Sequence, residues 1–158
     1  MIDLYPFFDW LDTSALATLS KAYGGVFAVV QMFHLLGMAL LGGMVLLGDL
    51  RLLNVLLTEV PRATVIRNTQ HWFGVGLGIL LLSGIFMSSA VAMKLYYNEM
   101  FWAKMTALIV GILFFYFIRR PLLLYQGQIN PWSIKLTAMA SMLIWFTVAA
   151  CGRWIGFS

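Results

Sequence analysis

The sequence predicts an all-α protein: an antiparallel transmembrane four-helix bundle with an N-terminal interfacial helix. Three observations carry this reading. Of 158 residues, 62% are hydrophobic and 10% charged, whereas a soluble domain is typically about 45–50% apolar and about 25% charged. The mean hydropathy is +0.91, and 12 Phe, 6 Tyr and 6 Trp exclude a disordered chain. The charges are also spaced so that four apolar stretches lie between them. One cysteine excludes a disulfide framework and any Cys-based zinc or iron–sulfur site within a single chain, and two histidines limit the imidazole chemistry.

The spans follow from the gaps between charges. Lys21 and Asp49 enclose 27 uncharged residues, and Arg67 and Lys94 enclose 26. Both exceed the ~20 residues a helix needs to cross a hydrocarbon core. Lys104 to Arg119 leaves 14, which Phe101 and Trp102 extend while Lys104 snorkels to the interface. Lys135 to Arg153 leaves 17, flanked by Trp132 and Trp154 as belt residues. The expected helices are Val26–Leu47, His71–Met93, Phe101–Ile118 and Ile134–Gly152, within one integral membrane domain covering residues 1–158.

Tyr5, Phe7, Phe8 and Trp10 beside Asp3, Asp9 and Asp12 read as interfacial, and Asp12, Thr13 or Ser14 as the cap of a helix running into the first span. MIDLYPFFDW has no basic region ahead of an apolar core, so a cleaved signal peptide is not expected. Charges alternate with leucines after Gly48, which predicts an extension of the first helix or an interfacial helix ending before Pro61. Arg119–Arg120–Pro121 predicts a stop for the third helix and Asn130–Pro131 a start for the fourth.

Basic residues set the orientation. Arg51, Arg62, Arg67, Arg119, Arg120 and Lys135 fall on one side, and Lys21, Lys94, Lys104 and Arg153 on the other. The first side is therefore expected to be cytoplasmic, with both termini outside a bacterial inner membrane. A net charge of +4 suits anionic lipid headgroups. No basic stripe stands away from the membrane, so nucleic acid is not an expected partner. The lipid bilayer and a homo-oligomer or larger membrane complex are.

His34 is the most informative side chain, because an ionisable group deep in a span faces the bundle interior with a partner. One reading is an interhelical hydrogen bond to Ser83, Thr106 or Ser141. The other is a metal or haem-iron ligand. His71, beside Trp72, reads as a headgroup-level histidine, or together with Gln70 as a quinone contact. Gly37 and Gly74 each follow a histidine by three residues, on the same helix face. Such glycines make room for a porphyrin edge or for a close helix. His34 and His71 differ in depth by about 20 Å at 1.5 Å per residue, too much for one shared haem. Met87 is nearly level with His34 and is the candidate second ligand. With Gly37, Gly84 and Gly111 making room for the ring and Arg153 or Lys104 pairing with propionates, these residues outline a b-type haem redox protein. Two alternatives stand beside it: a non-catalytic membrane subunit or homo-oligomeric interaction protein, and copper handling through Cys151 and methionines. Asp49 and Arg51, two residues apart, do not face each other on a helix, and the expected partner of Asp49 is Arg62, Arg67 or Arg119. No nucleophile–base pair, phosphate loop or carboxylate pair supports hydrolysis.

The strings HLLGMALLGGMVLLGDLRLL, SGIFMSSAVAMKLYYNEMFWAK and WFTVAACGRWIGF resemble small four-span bacterial membrane proteins of uncharacterised function, across nearly the whole chain. Looser likenesses run to the membrane domain of copper-resistance proteins and to b-type cytochrome bundles. The resemblance implies fold and membrane location. It carries over His34, Asp49, Arg51, Lys104, Gly152 and Arg153 without roles.

Overall fold

A computed structural model describes residues 4–124 and 129–157; Asp3, read above as interfacial, lies outside them. The described residues are helical with no strand. The order is α1 (Tyr5–Thr13), α2 (Ala15–Ala22), α3 (Gly24–Leu52), α4 (Arg62–Ala90), α5 (Ala92–Tyr96), α6 (Glu99–Leu113), a π-helical turn (Phe114–Arg119), α7 (Arg120–Leu124), α8 (Pro131–Trp154) and a closing 3-10 turn (Ile155–Phe157). Four of the continuous helical stretches, Gly24–Leu52, Arg62–Ala90, Glu99–Leu124 and Pro131–Phe157, are long and apolar enough to cross a membrane. The longest have 29 residues, or about 43 Å at 1.5 Å per residue, against a hydrocarbon core of ~30 Å. Their outward faces are apolar: Leu82 is 75% exposed, Phe117 74% and Phe146 76%. Water would not tolerate such faces, and lipid covers them at no cost. The make-up is that of a multi-pass membrane protein.

The chain divides into two compact units. The first comprises residues 1–41 and 74–99. Ser14 caps α2 by accepting from Ala17 N, one of the three caps expected. Lys21 reaches Asp12 at 2.9 Å. Tyr96 packs against Tyr5 and Phe8, with ring centroids 5.7 and 5.5 Å apart, and so ties α5 to α1. Here α3 and α4 run antiparallel and nearly touch. A Cβ on Gly37 would stand 2.9 Å from Ile79 Cγ2, and one on Gly76 would stand 3.1 Å from the backbone nitrogen of Leu41.

The second unit comprises residues 42–73 and 100–158 and draws on all four long helices. Leu52, Ile66, Ile134 and Ala138 form one buried cluster, with Leu53, Leu123 and Ile129 against it. Phe73, Phe115 and Trp145 form another: Phe73 stacks on Phe115 at 3.9 Å and meets Trp145 edge-on at 5.2 Å.

Several element ends differ from expectation. The helix capped by Ser14 stops at Ala22, before Tyr23, and does not run into the first span, and α4 stops at Ala90 rather than Met93. Three further ends differ. The helix after Gly48 stops at Leu52 instead of running towards Pro61, because Asn54 and Leu57 take left-handed backbones with φ of 58° and 55°. Arg51 holds that loop, donating to Asn54 Oδ1 and to the carbonyls of Thr58 and Val60. Second, α4 begins at Arg62 rather than His71. Third, the helix does not stop at Arg119–Arg120–Pro121. Its turn widens to the π register, in which Arg120 N–H reaches Phe115 O. Proline lacks an N–H and its ring clashes with the carbonyl four residues back. The widened turn absorbs that conflict, and the helix continues to Leu124. Asn130, as expected, caps α8, accepting from Trp132 N.

Candidate functional site

In the first unit, His34 on α3 meets α4 through Nδ1, 2.8 Å from Ser83 Oγ. Ser83 was one of three partners named for the interhelical reading. The serine hydroxyl also lies 2.5 Å from the carbonyl of Ile79, and its single proton is committed to that shorter contact. Ser83 Oγ is therefore placed to accept from Nδ1–H. The two glycines assigned to this ring behave differently. A Cβ on Gly84 would lie 3.5 Å from His34 Cε1, so Gly84 does stand against the imidazole. Gly37 does not offer a slot: Ile79 fills the space. Beside Ser83 runs an apolar groove of about 350 Å³, bounded by Val30, Phe33, Leu82 and Phe86. Met87 is four residues on from Ser83 and shares its face of α4.

The second unit holds a site that the sequence reading named only as one pairing among several. Asp49 is fully buried, and Arg119 is 2% exposed. Of the three arginines considered as partners for Asp49, the fold selects Arg119. Its Nε and Nη2 lie 3.0 and 2.7 Å from the same oxygen, Oδ1. Ser141, also fully buried, stands beside the carboxyl group. Neither Oδ2 nor Ser141 Oγ completes a hydrogen bond to a protein group. The guanidinium lies over the Phe115 ring, 5.3 Å from its centroid, at the end of the aromatic stack. Gly48 makes room for it, since a Cβ there would fall 2.7 Å from Nη2 and 3.2 Å from Thr69 Oγ1. Trp145 Nε1 and Gln70 Nε2 are likewise buried without a partner. At Gly111, expected to make room for a porphyrin, a Cβ would stand 3.1 Å from Ile144 Cγ2 and 3.3 Å from Trp145 Cζ2.

One family covers this arrangement almost end to end: a family of unknown function, DUF6644, matches residues 7–158. The chain belongs to that family. No curated protein and no solved structure matches it, so the looser likenesses to copper-resistance and b-type cytochrome membrane domains find no counterpart there.

The remaining singled-out positions of this DUF6644 chain have structural surroundings. Arg51 secures the loop after α3. Lys104 lays its stem along Gly152, where a Cβ would come within 3.3 Å of Lys104 Cε. Arg153 sits over the Phe157 ring at 4.8 Å. Exposed His71 meets Trp72 edge-on at 5.6 Å, while its neighbour Gln70 is half-buried. Cys151 is a free thiol, half-buried. Among the described residues, no group of three or more His, Cys, Asp or Glu side chains gathers as a metal site.

Proposed function

We propose that this chain is a b-type haem-binding electron-transfer protein of the bacterial inner membrane, with His34 as the axial ligand. The carrying observation is the orientation of His34 by Ser83. A metal-binding histidine characteristically donates its other ring N–H to a neighbouring acceptor, which holds the tautomer and the ring plane. Nδ1 against Ser83 Oγ is such an arrangement. Gly84 stands beside the imidazole, and the groove at Val30, Phe33, Leu82 and Phe86 would supply apolar walls for a macrocycle. Haem would supply one-electron chemistry there, while the chain orients the ligand and keeps water from the iron. Met87, on the face of α4 that carries Ser83, is the residue that would hold the iron together with His34. Gln70 and His71 are the groups offered to a quinone headgroup. Both termini are placed outside, by the excess of basic residues in the first and third loops.

A visible spectrum tests this reading. Protein expressed with haem supply, purified and reduced with dithionite should show a Soret band and an α-band, both lost in His34→Ala. Colourless protein from that expression would overturn it.

A second reading is a non-catalytic membrane subunit or homo-oligomer. The Gly37–Ile79 and Gly76–Leu41 contacts favour it, because they assign those glycines to close helix packing. Its mark is a cofactor-free protein that purifies with a partner or as an oligomer.

A further inference from the structure

At one end of the second unit, α3 terminates at Leu52 while α4 and α8 begin at Arg62 and Pro131. Between them lies a half-enclosed cavity of about 230 Å³, lined by Leu52, Asn54, Arg62, Ile129, Ile134 and Lys135, with Pro131 at its edge. The lining divides by chemistry. Leu52, Ile129 and Ile134 make an apolar wall continuous with the buried Leu52–Ile66–Ile134–Ala138 cluster. Every polar side chain in the lining is a donor. Arg62 and Lys135 are cations, and among the described residues neither has a carboxylate within ion-pair distance. Asn54 Oδ1 accepts from Arg51 Nη1 at 3.0 Å, which leaves its amide NH₂ as a donor.

Two further features add positive potential. Helices α4 and α8, of 29 and 24 residues, begin at this cavity with Arg62 and Pro131 in its lining. Their two N-termini, each carrying roughly half a positive charge, outweigh the roughly half negative charge of the single C-terminus of α3, which ends here at Leu52. Asn130 caps α8, so α8 contributes its field and not free amides. The loop that brings Asn54 here is held in place by Arg51 and needs a left-handed residue at that position.

We infer that this cavity is a binding site for the phosphodiester headgroup of an anionic phospholipid, such as phosphatidylglycerol. The donor-only lining selects an anion, and the two cations with the two helix termini supply its counter-charge. The position, at the ends of three membrane-spanning helices, is the headgroup level. The apolar wall suits the start of an acyl chain, and a free inorganic anion would leave it unused. The inference is independent of the haem reading and uses none of its residues.

The test uses the full chain in detergent, with bound lipid read by native mass spectrometry. Purified protein is incubated with equimolar phosphatidylglycerol and phosphatidylcholine. The expected result is retention of one phosphatidylglycerol in preference to phosphatidylcholine. Each basic residue near a surface is worth about fivefold, so Arg62→Gln and Lys135→Gln should each weaken retention by about that factor. Lys135→Glu, a charge reversal at an exposed residue that should not disturb folding, should weaken it further. Arg67→Gln, a basic change outside the lining, should leave retention unchanged. Equal retention of both lipids, or no loss in Lys135→Glu, overturns the site. Displacement of phosphatidylglycerol by millimolar inorganic phosphate overturns the lipid assignment in favour of a free anion.

Discussion

Arg119 directs both Nε and Nη2 to a single oxygen of Asp49, leaving Oδ2 without a hydrogen bond to a protein group in a buried site that Ser141 shares. Removing one partner of such a pair strands the other charge, at a typical cost of about 3–5 kcal/mol, whereas replacing both by apolar groups of similar volume is often neutral. Asp49→Asn and Arg119→Gln should therefore each destabilise the protein strongly. Asp49→Leu combined with Arg119→Met should recover most of that loss. Denaturant-induced unfolding in detergent micelles measures all three. A double variant no more stable than the singles would show that the pair does more than balance charge.

Gly48 is expected to matter through Arg119. Ala at this position would put a methyl group 2.7 Å from Nη2, and the guanidinium cannot swing aside without leaving Oδ1. Gly48→Ala should cost about 1–3 kcal/mol. In an Arg119→Met background the clash disappears and the cost should shrink, a coupling that a double-mutant cycle reads directly. Additive costs would mean that Thr69, at 3.2 Å, is the obstacle instead.

Gly37 stands where α3 and α4 pack closely, with Ile79 opposite it. Gly37→Ala should separate α3 from α4 against Ile79 and lower thermal stability in detergent, by an amount typical of overpacking, about 1–3 kcal/mol. Trimming the obstacle in Gly37→Ala/Ile79→Ala should restore part of it. Gly84→Ala, with its methyl at an ordinary 3.5 Å from His34 Cε1, should leave stability unchanged.

Ser83 separates the haem proposal from plain packing. If His34 binds iron through Nε2, Ser83→Ala should keep the α-band and weaken haem retention about 10–100-fold, the usual effect of losing a group that orients a ligand. His34→Ala should abolish the band. Titration of haem into the apoprotein measures both. Equal affinity in Ser83→Ala and the unaltered protein would remove Ser83 from the ligand's support.

Membrane orientation is open to a chemical test. Thr64 lies exposed in the first turn of α4, on the side with more basic residues. In a Cys151→Ser background, Thr64→Cys should resist an impermeant thiol reagent in intact cells and react once the membrane is opened. Labelling in intact cells would invert the proposed topology.

Much of the architecture could be read before any coordinates. Charges are so costly in hydrocarbon that the gaps between Lys21, Asp49, Arg67, Lys94, Lys104, Arg119, Lys135 and Arg153 mark out four long helices. Ser14, Asn130 and Pro131 announce local boundaries because capping depends on a few neighbouring residues. Asp49, Lys104 and Gly152 were singled out by resemblance without a role. Their roles are spatial: an ion pair with a residue 70 positions away, and a lysine stem lying on a glycine.

The sequence by itself determined what each segment must avoid: a charge in lipid, a proline in mid-helix, an apolar face in water. It did not determine which helix faces which. Arg62, Arg67 and Arg119 were equal candidates for Asp49, and only the packing around Gly48 and the stack of Phe73 on Phe115 chose Arg119. Arg119–Arg120–Pro121 has the pattern of a stop, yet a π turn carries the helix through it, because a widened register accommodates proline. Gly37 and Gly84 looked alike in sequence and diverged because Ile79 fills the space at one, whereas the His34 ring stands beside the other at ordinary contact distance. Hydropathy and capping are properties of neighbours along the chain. Partner choice and the space beside a glycine depend on residues brought close from elsewhere, so tertiary structure decided both.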